Sequence, residues 1–147
     1  MNLSHLKDVL IVDDDDALRS MMDTSLTRAG LTCDTAADGV AALEHLGARP
    51  YTMMLLDLTM PRLDGAGVLE ALRLLPLALT DRPIVVMITS CTDREPLLAL
   101  ADQVQVVIRK PVDLRELTEL VCDCIAVRHS GAVALDLPVA PLRAIEN

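Results

Sequence analysis

The stretch VLIVDDDDALRSMM, residues 9–22, decides how the chain folds. Four aliphatic residues of strand-forming type run directly into four consecutive aspartates, Asp13 to Asp16, and helical periodicity follows at once. A strand that ends on acids and turns into a helix is the first half of a strand-helix-strand unit. The acids themselves need a reason, because neighbouring carboxylates repel and each costs free energy to desolvate. They read either as a solvated, acidic helix start or as a metal site at a strand end.

Working outward, apolar runs of strand length recur at 8–13, 32–36, 52–57, 83–88 and 104–109. Each is followed by a helical pattern. Leu18, Met21, Met22, Ser25, Leu26 and Ala29 share one helical face, with Gly30 as the C-terminal stop. A second helix fits 38–46, closed by Gly47; a third fits 65–75, and a shorter one 94–101. In the last, Asp113 is the cap with Glu116 three residues on, and Leu117, Leu120, Val121 and Cys124 share a face. Five alternations predict an α/β fold: a doubly wound, five-stranded parallel sheet of flavodoxin-like order 2-1-3-4-5, with helices on both faces. The more polar strand at 32–36 suits an edge. Residues 1–128 form one domain in this reading, and 129–147, with two prolines and no periodicity, a tail or linker stub.

Composition narrows the function classes. The 147-residue chain is the size of one domain, and a net charge of −9 argues against direct nucleic acid binding or affinity for an anionic membrane surface. No apolar run spans a bilayer and MNLSHLKDVL lacks the order of a signal peptide, which predicts a cytoplasmic protein. Cys33, Cys91, Cys122 and Cys124 read as reduced thiols rather than a zinc site, and His5, His45 and His129 have no ligand spacing. With Tyr51 as the sole aromatic residue, the core must be aliphatic, and Met21, Met22, Met53, Met54 and Met87 read as core filling.

In an open parallel sheet, ligands bind beyond the carboxyl ends of the strands. The predicted strands end at Asp13-Asp14, Asp57, Thr89-Ser90 and Lys110. Three carboxylates meeting at one rim call for a hard cation such as Mg²⁺, while Thr89 and Lys110 suit phosphoryl oxygens beside it. Asp57 is then a nucleophile that forms an aspartyl phosphate.

IVDDD at 11–15, LLDLTMPRLDG at 55–65, MITS at 87–90 and RKP at 109–111 resemble, in order and spacing, the receiver domain of two-component response regulators, over about residues 7–127. The resemblance implies that Asp13 and Asp14 hold Mg²⁺ or another divalent ion such as Mn²⁺, with Asp57 and the backbone carbonyl of Thr59 completing the shell. It implies that Asp57 accepts phosphate from a histidine kinase or histidine phosphotransfer protein, with Thr89 and Lys110 binding the phosphoryl oxygens. Such a chain is a signalling receiver that catalyses only its own phosphorylation and dephosphorylation, acts on a downstream protein partner, and is a monomer or weak homodimer. The family's Lys-Pro bond, here Lys110-Pro111, is usually cis, and Pro61 and Gly65 shape the loop after the phosphoacceptor.

Two departures stand out. Val107 takes the place of the family's switch aromatic, three positions before the lysine, and the turn before that strand reads LADQVQ where a Gly-Ala pair is common. Activation then runs through Thr89 and the segment Ser90 to Arg94, or the output face is atypical. Thr59 and Cys91 are the positions that tune dephosphorylation in this family. Asp15 and Asp16 separate from the metal pair as helix cap and dipole partner. A phosphate-independent interaction module is the alternative function. A phosphatase of the haloacid dehalogenase type is set aside, because it needs an Asp where Thr59 stands.

Overall fold

The computed structural model describes residues 6–76, 82–90 and 94–130, and the backbone of 144–145. Its elements are β1 (Lys7–Val12), α1 (Asp16–Arg28), β2 (Cys33–Ala36), α2 (Gly39–Ala48), β3 (Tyr51–Asp57), α3 (Gly65–Leu74), β4 (Ile84–Thr89), α4 (Arg94–Ala99), β5 (Val106–Arg109), α5 (Leu114–His129) and β6 (Ala144–Ile145). The strands form one parallel sheet in the order β2-β1-β3-β4-β5-β6. The five-stranded order 2-1-3-4-5 is thus as expected, with polar β2 at one edge.

Alternation along the central strands builds two cores. Val9, Ile11, Met53, Leu55, Val86 and Ile88 pack with Met22 and Leu26 of α1 and Leu117, Val121 and Ile125 of α5. Their neighbours Leu10, Val12, Met54, Leu56, Val85 and Met87 pack on the other face with Ala42 and Leu46 of α2 and Val68, Leu69 and Leu72 of α3. Every residue of β3 is buried, so this strand cannot slip its register without driving Asp57 into a core. Burying one such Leu or Ile side chain contributes about 1.5–3 kcal/mol before entropy is counted.

Local chemistry sets the helix ends. The α1 cap is Asp15, whose side chain accepts from the Leu18 N–H. At its far end Gly30 has φ +93°, and the Gly30 and Leu31 amides donate to the Thr27 and Leu26 carbonyls, the bonding of a Schellman motif. Asp113 caps α5 by accepting from the Arg115 and Glu116 amides.

The structure corrects four expectations. The second helix runs through Gly47 to Ala48 and stops at Arg49, whose backbone is extended (φ −160°). Pro50 follows, and a residue before proline is pushed out of the helical region. The buried face of α1 is narrower than predicted: Met21 is 49% exposed and Ala29 is also at the surface, so Met21 is not core filling. The fourth helix ends at Ala99 and gives way to turns, with Leu100 N–H donating to the Leu97 carbonyl. Within the predicted tail, Ala144–Ile145 pairs with Val107–Ile108, and two residues are too few to show periodicity in a sequence.

Nothing lies within 4 Å of a methyl group placed on Gly30, so its replacement tests backbone conformation alone. Gly30→Ala is expected to lower stability by about 1 kcal/mol, read from the urea midpoint, with Gly30→Asn costing less.

Candidate functional site

The stagger of the strands assembles the site. In the β1-β3 register Val12 stands beside Leu56, which sets Asp13, the first residue beyond β1, at the same rim as Asp57. Asp57 pairs with Ile88, so Thr89 lies one residue further along β4; Thr89 pairs with Arg109, and Lys110 follows. Lys110 N–H donates to the Thr89 carbonyl at 3.0 Å, and the Lys110-Pro111 bond is cis.

At this rim the carboxylates of Asp13, Asp14 and Asp57 offer oxygens within 4.8 Å of one another. Asp13 and Asp57 are buried and Asp14 is exposed. The Lys110 ammonium stands 3.2 Å from Asp13 Oδ2 and 3.2 Å from Asp57 Oδ2. Backbone amides hold the remaining oxygens: Asp15 N–H donates to Asp13 Oδ1 at 2.9 Å, and Thr59 N–H to Asp57 Oδ1 at 3.3 Å. Arg19 Nη1 donates to the Asp13 carbonyl at 2.8 Å and Nη2 pairs with Asp16, which ties the start of α1 to the end of β1.

The four aspartates thus point in two directions. Asp13 and Asp14 face the rim with Asp57, whereas Asp15 caps α1 and Asp16 lies in its first turn. Thr89 is wholly buried at the end of β4. Thr59 contributes its amide to Asp57. Cys91, and with it most of the Ser90 to Arg94 segment, lies outside the described residues.

Electrostatics follow from this packing. Burial, and then the Asp13 carboxylate, push the Asp57 pKa from 3.8 to about 6, against Lys110 and the Thr59 amide. Burial disfavours the Lys110 ammonium, but the Asp57 and Asp13 charges outweigh it and hold its pKa above the ordinary value. One ammonium leaves three carboxylates undercompensated. Among the described residues, the buried Asp13 Oδ2 has the Lys110 ammonium, at 3.2 Å, as its one partner. An all-oxygen cluster whose two buried carboxylates share one ammonium fits a hard divalent cation such as Mg²⁺, which takes one or two carboxylates and keeps several waters.

A clamp on the β3-α3 loop carries no signal in the sequence alone. Arg62 has φ +67° and pairs through Nη2 with Asp38 Oδ2, while Asp38 Oδ1 caps α2 at the Ala41 N–H. The Ala41 amide, followed by Arg62, holds the Asp38 carboxyl below its usual pKa. An ion pair with one solvent-exposed partner contributes little, whereas a left-handed non-glycine residue is disfavoured by contact of its Cβ with the following carbonyl oxygen. The pair therefore adds little to overall stability. Asp38 before an apolar helix was a readable cap signal; its partner in space was not.

Val107, at the switch position, is buried in the same core as Leu97, Leu100 and Val104. Gln105 stands in for the missing turn: its side chain accepts from the Val85 N–H at 2.7 Å and its own N–H donates to the Val85 carbonyl at 2.9 Å. Among the described residues, no helix is long and apolar enough to cross a membrane.

Comparison with known proteins agrees with this geometry. Residues 9–122 match the family model described as the response regulator receiver domain. The chain is 37% identical over 121 residues to the Regulator of RpoS of Escherichia coli K12, covering 81% of this chain and 35% of that protein. It is 38% identical over 109 residues to the response regulator MprA of Mycobacterium ulcerans, covering 74% of this chain and 46% of that protein. The chain therefore spans between a third and a half of these relatives. Among solved structures, a CheY-like receiver domain from Methanospirillum hungatei superposes with a TM-score of 0.73 at 25% identity, covering 85% of this chain and 98% of that one. With the parallel sheet, the acidic rim and the match along most of its length, the chain belongs to the response regulator receiver domain family.

Proposed function

We propose that this chain is the phosphoacceptor of a phosphorelay: Asp57 receives a phosphoryl group from a histidine kinase or histidine phosphotransfer protein and the change alters binding to a downstream protein. The observation that carries the reading is the pair of buried carboxylates, Asp13 and Asp57, joined by Lys110 Nζ at 3.2 Å from each, with Asp14 beside them. A structural ion pair needs one acid; three acids at one rim suit a cation and an incoming phosphate.

In the transfer, Asp57 Oδ2 attacks phosphorus as the N–P bond to the donor imidazole breaks, and the imidazole leaves with the bonding pair and takes a proton. The negative charge moves outward from Asp57 onto phosphoryl oxygens, so Lys110 exchanges its Asp57 partner for one of them. The Thr89 hydroxyl binds another, and the Thr59 amide keeps Asp57 in its rotamer. Asp13, Asp14, Asp57 and the Thr59 carbonyl would hold Mg²⁺, which when bound would neutralise charge on the phosphoryl oxygens. Thr59, beside Asp57, and Cys91, two positions after Thr89 in sequence, tune hydrolysis of the acyl phosphate. With Val107 in place of an aromatic switch, either the response starts from Thr89 or the output face is atypical. We place this chemistry in the cytoplasm, on a monomer or weak homodimer that binds proteins rather than nucleic acid, in keeping with its charge of −9.

Incubation with Mg²⁺ and acetyl phosphate is expected to add one phosphoryl group by intact mass, lost in Asp57→Ala and strongly reduced by chelator. An unmodified wild-type chain would instead favour the phosphate-independent module. Asp14→Ala is expected to weaken Mg²⁺ dependence severely, whereas Asp15→Ala removes a cap, costs about 1 kcal/mol and leaves phosphorylation largely intact. Equal effects of the two on metal affinity contradict the division of the acids.

The raised Asp57 pKa fixes a sign for pH. Without divalent ions the folded state keeps a proton that the unfolded chain releases, so stability falls as pH rises from 3.8 to about 6. Protons compete with Mg²⁺ in the same window, and metal affinity should fall below about pH 6. Urea titrations of wild type and Asp57→Asn with and without Mg²⁺ measure both, and a flat metal-free profile for wild type counts against the buried Asp57.

A further inference from the structure

We infer that Arg62 is a positioning residue for the phosphoacceptor, acting through the β3-α3 loop; this rests on the reading of Asp57 as the acceptor. The chain of contacts is continuous. The Arg62 side chain is 64% exposed, but its partner Asp38, 12% exposed, is fixed by capping α2. Asp38 thus uses one carboxylate oxygen for its own helix and the other for the loop that follows Asp57.

Beside Arg62, Leu63 fills space left by two glycines. A Cβ on Gly39 would lie 2.3 Å from the Leu63 carbonyl oxygen, and one on Gly67 2.3 Å from Leu63 Cδ1. The loop then closes on the acceptor itself: Gly65 N–H donates to the Leu58 carbonyl at 2.8 Å, and a Cβ there would lie 2.5 Å from the Asp57 carbonyl oxygen. Between the two fixed ends stands Thr59, whose amide reaches Asp57 Oδ1 at 3.3 Å.

Arg62 sits in this loop at φ +67°, a backbone conformation that glycine adopts without strain. The charge on the side chain is what an arginine adds there. By drawing the loop onto the head of α2, it limits how far Thr59 can move relative to Asp57. Contributions to geometry of this kind show in rates and affinities for the site more than in global stability.

Three variants of the 147-residue chain test this. Arg62→Gly relieves the backbone and deletes the ion pair; Asp38→Asn keeps a capping side chain and deletes the charge; Arg62→Lys keeps the charge. Arg62→Gly is expected to retain or raise Tm and Asp38→Asn to lower it slightly, since the charge at the cap is lost; both are expected to exchange the amides of 58–65 faster, and to lower both calorimetric Mg²⁺ affinity and the acetyl phosphate reaction rate, the last by about tenfold. Arg62→Lys should recover part of each, and the double variant should be no worse than either single one. A fall in Tm with wild-type exchange and Mg²⁺ affinity assigns Arg62 a structural role and overturns the inference, as do variants identical to wild type. A wild-type chain that takes no phosphoryl group overturns the reading of Asp57 instead, and exchange and Mg²⁺ affinity still decide whether Arg62 positions the loop.

Discussion

Two buried carboxylates share a single ammonium. Asp13 Oδ2 and Asp57 Oδ2 each stand 3.2 Å from Lys110 Nζ, and the third acid, Asp14, lies within reach of both. Removing like charges from water and crowding them is unfavourable, which is why burial and Asp13 together raise the Asp57 pKa to about 6. The surrounding fold must hold them there. It does so with a central strand buried along its whole length, so that the apolar packing of β3 and its register with β1 and β4 oblige Asp57 to emerge at the rim. Stability made in the two aliphatic cores is spent at this one end of the sheet.

The same constraint explains the backbone around the rim. Each of the two buried acids is oriented by an amide from a tight turn just after it, Asp15 for Asp13 and Thr59 for Asp57. These turns are then anchored from outside, by Arg19 on the Asp13 carbonyl and by the Arg62-Asp38 pair on the loop after β3. Glycines at 39, 65 and 67 allow the approach, since side chains there would collide with Leu63 or with the backbone of Asp57 and Leu58. Rigid placement of carboxylates with one undersatisfied oxygen suits a site whose ligands bring their own charge.

Much of this could be read from one dimension. The apolar run of β3 ending in Asp57, the cap residues Asp15 and Asp113, and the stop at Gly30 are local signals, carried by side-chain type and backbone preference. The end of α2 was readable in principle, because Pro50 excludes Arg49 from the helix, but Gly47 was the louder signal and misled. The exposure of Met21 was less accessible: helical periodicity identifies a face, not how much of that face a neighbouring helix covers. A two-residue strand such as β6 carries no pattern at all.

The sequence by itself determined the alternation of strands and helices, the acids and cations at strand ends and the division of the four aspartates, because these depend on residues a few positions apart. Only the tertiary structure decided that Lys110 joins Asp13 to Asp57 and that Arg62 reaches Asp38. Those contacts span 97, 53 and 24 positions in the chain and exist because parallel strands bring their carboxyl ends to one side, where side chains without any sequence relationship become neighbours.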